Sequence, residues 1–272
     1  VRMRSAEREA YVEASIAAEV SGKVLWVNPS LVVGGLLREG DVMLRIDPAD
    51  YRLAVDKARF AVAQADKNLA LERSSARVAR SEWQRQGRAT RARGTPNALV
   101  LREPQLKAAR AALASARADL QMAQLNLRRA TVRAPFNLRV RAKQVDRGQY
   151  VRTGQTLATV YGTDVAEVVV PLPVAELRWL EIPRAVGKRA ARVKGTPVTV
   201  RLKTGKKVHE RQGRLVRSVG EVDRTGRMSK VVVAIDDPYS LRADAKDHRV
   251  EFEIGAFVEV ALAGRTDRKS VV

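Results

Sequence analysis

The sequence predicts an α+β chain: a long antiparallel α-helical coiled-coil hairpin inserted between two halves of one β-domain, followed by a small β-barrel domain. Three observations predict it. Residues 51–130 carry apolar residues at steps of three and four, the a/d seam of a coiled coil. Short strand-like runs divided by Gly and Pro lie on both sides of that stretch. The run before it is partly repeated after it, as two half-motifs that pair with each other would be.

Taken in order, residues 1–10 are charged and show no clear period. Ser15-Ile16-Ala17-Ala18-Glu19-Val20 reads as a strand, Ser21-Gly22 as a turn, and Lys23-Val24-Leu25-Trp26-Val27 as the next strand. Asn28-Pro29-Ser30 is a further turn signal. Gly34-Gly35 and Gly40-Asp41 set off Val42-Met43-Leu44-Arg45-Ile46. Asp47 then suits a helix cap and Pro48 the first helical position.

In the first arm of the hairpin the seam runs through Tyr51, Val55, Ala58, Val62, Ala65, Leu69, Ala76, Ala79 and Trp83, with one break at Glu72. In the second it runs unbroken through Leu106, Ala109, Leu113, Ala116, Leu120, Ala123, Leu127 and Ala130. Arg, Lys, Asp, Glu and Gln fill the other positions, as a wet face requires. Gly87, Gly94, Pro96 and Pro104 separate the arms. Thr95-Pro96 and Pro104 are alternative starts of the second arm, which spans ~40 Å if it begins at Pro104. So many alanines make a thin seam at ~25 cal/mol per Å². The hairpin is therefore expected to gain support from neighbouring copies or partners.

After the hairpin, Ala134-Pro135-Phe136-Asn137-Leu138-Arg139-Val140 echoes residues 18–24. Gly148 and Gly154 are spaced as Gly34 and Gly40 are, and residues 155–160 echo residues 41–46. The glycines suit matching turns with positive φ. Beyond Val165 come a strand ending near Val174, a short helix at residues 175–180, and strands at residues 196–203, 213–222, 228–235 and 257–262. Several short strands divided by turns favour a small β-barrel.

Composition bounds the function. The 272 residues allow two or three modules. No run reaches the ~18 apolar residues of a membrane span. The chain begins at Val1, which fits a removed leader or a fragment. Without cysteine there is no disulfide, Cys-ligated zinc or thiol catalysis. The net charge of +21 admits nucleic acid or anionic membrane as a partner. Its arginines, however, are spread along the chain without interleaved aromatics, and a solvated surface is the simpler reading. His209 and His248 lie far apart, outside any triad or metal cluster. Asp236-Asp237 precedes Pro238 and reads as a turn. Glu251 and Glu253 share one polar strand face. No Gly-Lys-Ser/Thr follows Gly34-Gly35 or Gly40, so no phosphate loop forms there. No enzyme activity, catalytic residue, cofactor or metal is expected.

Four stretches together resemble a known family: Val20-Ser21-Gly22-Lys23-Val24; Gly40-Asp41-Val42-Met43-Leu44-Arg45-Ile46-Asp47-Pro48-Ala49-Asp50-Tyr51; Thr131-Val132-Arg133-Ala134-Pro135-Phe136; and Val145-Asp146-Arg147-Gly148-Gln149-Tyr150-Val151. They are similar to HlyD-type membrane fusion proteins, the periplasmic adaptors of tripartite efflux pumps, most of all those of resistance-nodulation-division (RND) pumps. The resemblance covers roughly residues 11–264. It implies a lipoyl-like first half at residues 15–48, the hairpin at 49–130, a lipoyl-like second half at 131–162 and a β-barrel at 163–264. Residues 1–14 would be a remnant of the barrel or membrane-proximal region, and 265–272 an irregular tail lacking most of that region. Gly22, Gly40, Asp47, Pro48, Tyr51, Pro135, Phe136, Gly148 and Gly154 would carry the structural motif.

The resemblance also implies a periplasmic protein attached to the inner membrane through a segment absent from this chain. It would link an inner-membrane transporter to an outer-membrane channel for export of small molecules and self-associate into a ring. The hairpin tip, with Arg85, Arg88, Arg91, Arg93, Asn97 and Leu99, would meet the channel, with Arg supplying planar donors. Two features depart from the family. Asn137-Leu138 stands where Asp-Gly is usual, and the common Arg, Leu and Ser signature of the tip is not recognisable between Arg80 and Leu106. A swinging-arm carrier would need a Lys at an exposed hairpin tip, and Lys23 and Lys143 read more simply as surface residues. The alternatives are an adaptor of an ABC or other secretion system and a basic coiled-coil protein binding nucleic acid or anionic membrane.

Overall fold

A computed structural model describes residues 2–10, 12–90, 98–99, 101–183, 196–204, 207–223, 228–239, 241 and 252–262. The repeat seen in the sequence is a pseudo-two-fold β-domain. The first half supplies β2 (Glu13–Ala17), β3 (Gly22–Val27), β4 (Leu36–Leu37) and β5 (Val42–Ile46). The second supplies β6 (Thr131–Arg133), β7 (Leu138–Lys143), β8 (Tyr150–Val151) and β9 (Thr156–Gly162). The two sheets run β2-β9-β7-β4 and β6-β5-β3-β8. Replacing each strand by its repeat mate turns one order into the other, so each sheet takes strands from both halves.

The turns interlock by the same symmetry. Gly40 N–H donates to the Ala134 carbonyl at 2.8 Å and Ala134 N–H to the Asp41 carbonyl at 2.9 Å. Their mates do the same: Gly154 N–H donates to the Ala18 carbonyl at 2.7 Å, and Ala18 N–H to the Gln155 carbonyl at 2.9 Å. A second pair of exchanges joins Gly34 and Gly35 to Val140, and Gly148 and Gln149 to Val24. The glycines at 40 and 154 have φ of 84° and 85°, the left-handed region that disfavours a Cβ. The core is equally paired: Val24 with Val140, Leu37 with Val151, Met43 with Leu157 and Ile46 with Val160 are all buried.

Between the halves run α1 (Ala49–Thr90) and α2 (Glu103–Arg129). The start of α1 follows from its first residues. Asp47 Oδ1 accepts from the Ala49 N–H at 3.0 Å, and the Arg52 N–H donates to the Pro48 carbonyl. Tyr51, one turn in, donates its hydroxyl to the Ser21 carbonyl at 2.6 Å, tying the helix to the β-domain. Burial, then the nearby Tyr150 and Asp50, raise the pKa of this phenol, so it remains a donor up to alkaline pH. The two helices leave from β5 and β6, which are neighbours in one sheet, so the hairpin projects from a single point. The seam residues read from the sequence are all buried or half-buried on both helices. Two expectations for the hairpin are corrected. Gly87 does not stop the first helix, which continues to Thr90. The second helix starts at Glu103 with Pro104 in its first turn. Thr95-Pro96, the other candidate start, lies outside the described residues.

The third unit is a closed six-stranded barrel, ordered β1-β10-β13-β12-β11-β14. Its strands are β1 (Arg2–Ala10), β10 (Val165–Pro173), β11 (Thr196–Thr204), β12 (Lys207–Asp223), β13 (Met228–Asp236) and β14 (Phe257–Leu262). The short helix α3 (Val174–Leu177) follows β10, and Leu177, Leu180 and Ile182 pack on the barrel core. The barrel therefore takes one strand from the segment expected as a barrel or membrane-proximal remnant, residues 1–14. The aperiodic segment at residues 2–10 is a strand paired with β10 and β14. Likewise β2 begins at Glu13, earlier than the expected boundary at residue 15.

Asn137-Leu138, the departure from Asp-Gly, does structural work of its own. Leu138 is fully buried and φ is negative at both residues. Asn137 Oδ1 accepts from the Glu39 N–H at 2.9 Å, and its Nδ2 donates to Asp164 Oδ1 at 3.0 Å. One side chain thus joins both β-halves to the entry of the barrel. Arg139 adds a second tie, donating to the Gly34 carbonyl at 3.0 Å while its guanidinium lies 5.3 Å from the Tyr239 ring centre.

The turns predict a graded response. A Cβ at Gly154 meets nothing within 4 Å, so Gly154→Ala should cost only the left-handed backbone term, about 1–2 kcal/mol. A Cβ at Gly35 would lie 2.0 Å from the Ser30 carbonyl oxygen, so Gly35→Ala must displace backbone and should cost more than about 3 kcal/mol. Thermal unfolding of the two variants should rank them in that order.

Candidate interaction site: the distal hairpin

The chemistry-bearing surface is built from the far half of the two helices. The break in the apolar seam at Glu72 marks where it begins. Glu72 occupies the next seam position after Leu69 and is half-buried, facing α2. There it meets Arg102, whose Nε and Nη2 both donate to the carboxylate, the shortest bond being 3.0 Å. Arg102 is the residue before α2 and sits in the left-handed region, at φ 57° and ψ 28°. The Glu103 N–H donates to the Ala98 carbonyl and the Leu106 N–H to the Arg102 carbonyl, completing the turn into the helix. A carboxylate in the seam therefore holds the one described residue of this turn with a strained backbone.

This contact also sets the level of the helices. Counting back from Glu72–Arg102 at equal rise brings Leu69 to within one residue of the level of Leu106, Val62 to within one of Leu113 and Val55 to within one of Leu120. Val55, Leu69, Leu113 and Ala116 are the buried members of that row. Counting forward, α1 runs another 18 residues, ~27 Å, past the start of α2.

The expected tip residues separate here. Arg85 is exposed on the overhanging end of α1. Arg88 belongs to the same helix, its side chain outside the described residues. Arg91, Arg93 and Asn97 lie outside the described residues. Leu99 is in the turn before α2 and 62% exposed. The motif residues Gly22, Gly40, Asp47, Pro48, Tyr51, Pro135, Phe136, Gly148 and Gly154 all lie in the β-domain or at the helix base, far from this end. Arg102 was missed because a lone Arg before a helix carries no sequence signal. Its partner Glu72 was visible as the single interruption of the heptad. Among the described residues no group of His, Cys, Asp and Glu is arranged to hold a metal ion.

Residues 12–163 match the family described as RND MFP, barrel-sandwich hybrid domain. The chain is 29% identical over 189 residues to the efflux pump periplasmic linker BepD of Brucella suis biovar 1 (strain 1330), covering 69% of this chain and 45% of that protein. It is 26% identical over 229 residues to the multidrug resistance protein MdtA of Pantoea ananatis (strain AJ13355), covering 82% and 51%. The chain thus spans about half the length of these relatives. Among solved structures, the membrane fusion protein Spr0693 of Streptococcus pneumoniae R6 superposes with a TM-score of 0.62 at 20% identity, covering 98% of this chain and all of that one. A MacA–MexA chimera carrying the Pseudomonas aeruginosa MexA α-hairpin gives 0.59 at 17%, covering 97% and 81%. At these identities the two structures speak to the fold.

Removing the carboxylate isolates its contribution. Glu72→Ala should release the strained Arg102 turn at a cost of about 1 kcal/mol, since the pair is partly solvated. Amide hydrogen exchange of the Leu101–Leu106 segment should quicken roughly fivefold, while exchange around Val55 and Leu120 is unchanged.

Proposed function

The chain belongs to the RND membrane fusion proteins, and on that premise we propose that it is the adaptor of a tripartite efflux system. It would link an inner-membrane transporter to an outer-membrane channel in the periplasm and perform no chemistry itself. The observation that carries the proposal is the projecting hairpin. Both helices spring from one sheet, and α1 reaches ~63 Å from it. A scaffold of that shape holds a contact at a distance. Export of small molecules is proposed from the likeness to the two efflux relatives.

Self-association into a ring has its own support. Leu53, Phe60, Leu71 and Val78 are 53–74% exposed. Steps of 7, 11 and 7 return each to nearly the same line on α1, opposite the seam. The outward face of α2 is smaller, with Ala108, Ala111, Ser115 and Ala118 exposed beside one large residue, Met122. Large side chains on one helix and small ones on the other favour head-to-tail packing, which closes into a ring when the rotation fits. This contact would also bury the apolar area that an Ala-rich seam leaves scarce.

Site-directed cross-linking in cells, in the full-length parent, tests the adaptor role. A cysteine is placed at Arg85 or Arg88, since these 272 residues have none of their own. A cross-link to an outer-membrane channel, absent for a cysteine at Lys203 in the barrel, is the expected result. No link from any tip position, with salt-sensitive retention of DNA or RNA by the purified chain, would establish the nucleic-acid reading instead. Phe60→Asp should lower the oligomeric mass in analytical ultracentrifugation while leaving monomer helicity intact.

A further inference from the structure

The chain crosses from the barrel to the β-domain between β1 and β2, and back again between β9 and β10. The Gly162 N–H donates to the Val12 carbonyl at 2.8 Å, so the two crossings run together as one ribbon. Neither sheet of the β-domain shares a strand with the barrel, and the two hydrophobic cores share no residue. A joint without a common core leaves the angle between its units free unless specific contacts fix it. The lever on this joint is long. Because α1 spans ~63 Å, a bend of about 10° at the ribbon moves the far end of the hairpin by ~11 Å.

Among the described residues, side chains tie the two units at two places. One is Tyr239, whose ring centre lies 5.3 Å from the Arg139 guanidinium and 6.5 Å from the Tyr161 ring. Ring faces attract over a broad area, so these contacts tolerate sliding. The other is Asn137, in the turn between β6 and β7. Its carbonyl accepts from the N–H of the buried Thr163 at 3.0 Å. Its Oδ1 accepts from the Glu39 N–H at 2.9 Å, and its Nδ2 donates to Asp164 Oδ1 at 3.0 Å. Hydrogen bonds are narrow in distance and angle, so this contact fixes a position. The surroundings also select the residue. A backbone N–H only donates and a carboxylate only accepts, so the side chain between them must present one acceptor and one donor. Asparagine does so, whereas aspartate would set one carboxylate against another.

We propose that Asn137 is the positioning residue that aims the hairpin. Bonded to the first β-half at Glu39 and to the barrel entry at Thr163 and Asp164, it holds the β-domain at one angle to the barrel. Without it the ribbon carries that angle, and a sweep of ~11 Å at the hairpin end exceeds the ~4 Å reach of a side-chain contact. The role rests on the adaptor reading only for what the tip meets. The angle itself is measured with no partner present.

Paired spin labels on cysteines introduced into the purified chain test the proposal. One pair, at Lys67 on α1 and Lys230 on β13, reads the hairpin against the barrel. A second pair, at Lys67 and Arg147, reads the hairpin against its own β-domain. All three positions are exposed. N137A should widen the first distance distribution about twofold and leave the second unchanged. D164A removes the acceptor across the joint and should act in the same way, and it decides the matter if N137A unfolds the β-domain. N137D should widen the first distribution further, by repulsion from Asp164. N137D/D164N returns an acceptor to Glu39 and a donor across the joint, so it should restore the original width. A general loss of stability would not be reversed by exchanging the two side chains. Unchanged width in both N137A and D164A would overturn the proposal. So would equal widening of both label pairs, or a failure of N137D/D164N to narrow the distribution. None of these measurements involves a channel, so the cross-link at Arg85 and the latch can each fail alone.

Discussion

The exchange of backbone hydrogen bonds between the two β-halves is the constraint on which the rest depends. Gly40 and Gly34 give their N–H groups to Ala134 and Val140, and Gly154 and Gly148 give theirs to Ala18 and Val24. Neither half can satisfy these donors, or bury its share of the core, without the other. The chain must therefore return to its starting point after the hairpin. That return places β5 beside β6, points both helices the same way, and fixes their register at the base before any seam contact forms.

The hairpin inherits direction from that base and little stability from its own seam. Alternating large and small positions let the helices approach closely, at the expense of buried area. Glu72 and Arg102 then close the paired region by charge instead of by size. A pair of this kind, partly solvated, adds modest stability but decides where α2 starts, because the carboxylate meets the one residue of the turn held in a left-handed conformation.

The charge of +21 reads differently in three dimensions. Spread over the sequence, it looked like general solvation. In the structure a part of it is locally answered: Arg141 by Glu13, Arg201 by Glu210, Arg214 by Asp236, and Arg217 by the buried Glu167.

Much of this protein was written in local pattern. The heptad rhythm named every seam residue of α1 and α2. The glycine spacing and the echo of residues 18–24 in 134–140 named the paired halves, because period and turn chemistry are properties of neighbours along a chain. Gly87 misled, since propensity is a weak prior that a long helix can override. The sequence by itself determined the repeat, the hairpin and the family likeness. Tertiary structure alone decided that residues 2–10 close the barrel and that Glu72 meets Arg102. Those facts join residues up to about 260 positions apart, and no local period encodes which distant strand or helix end will be met.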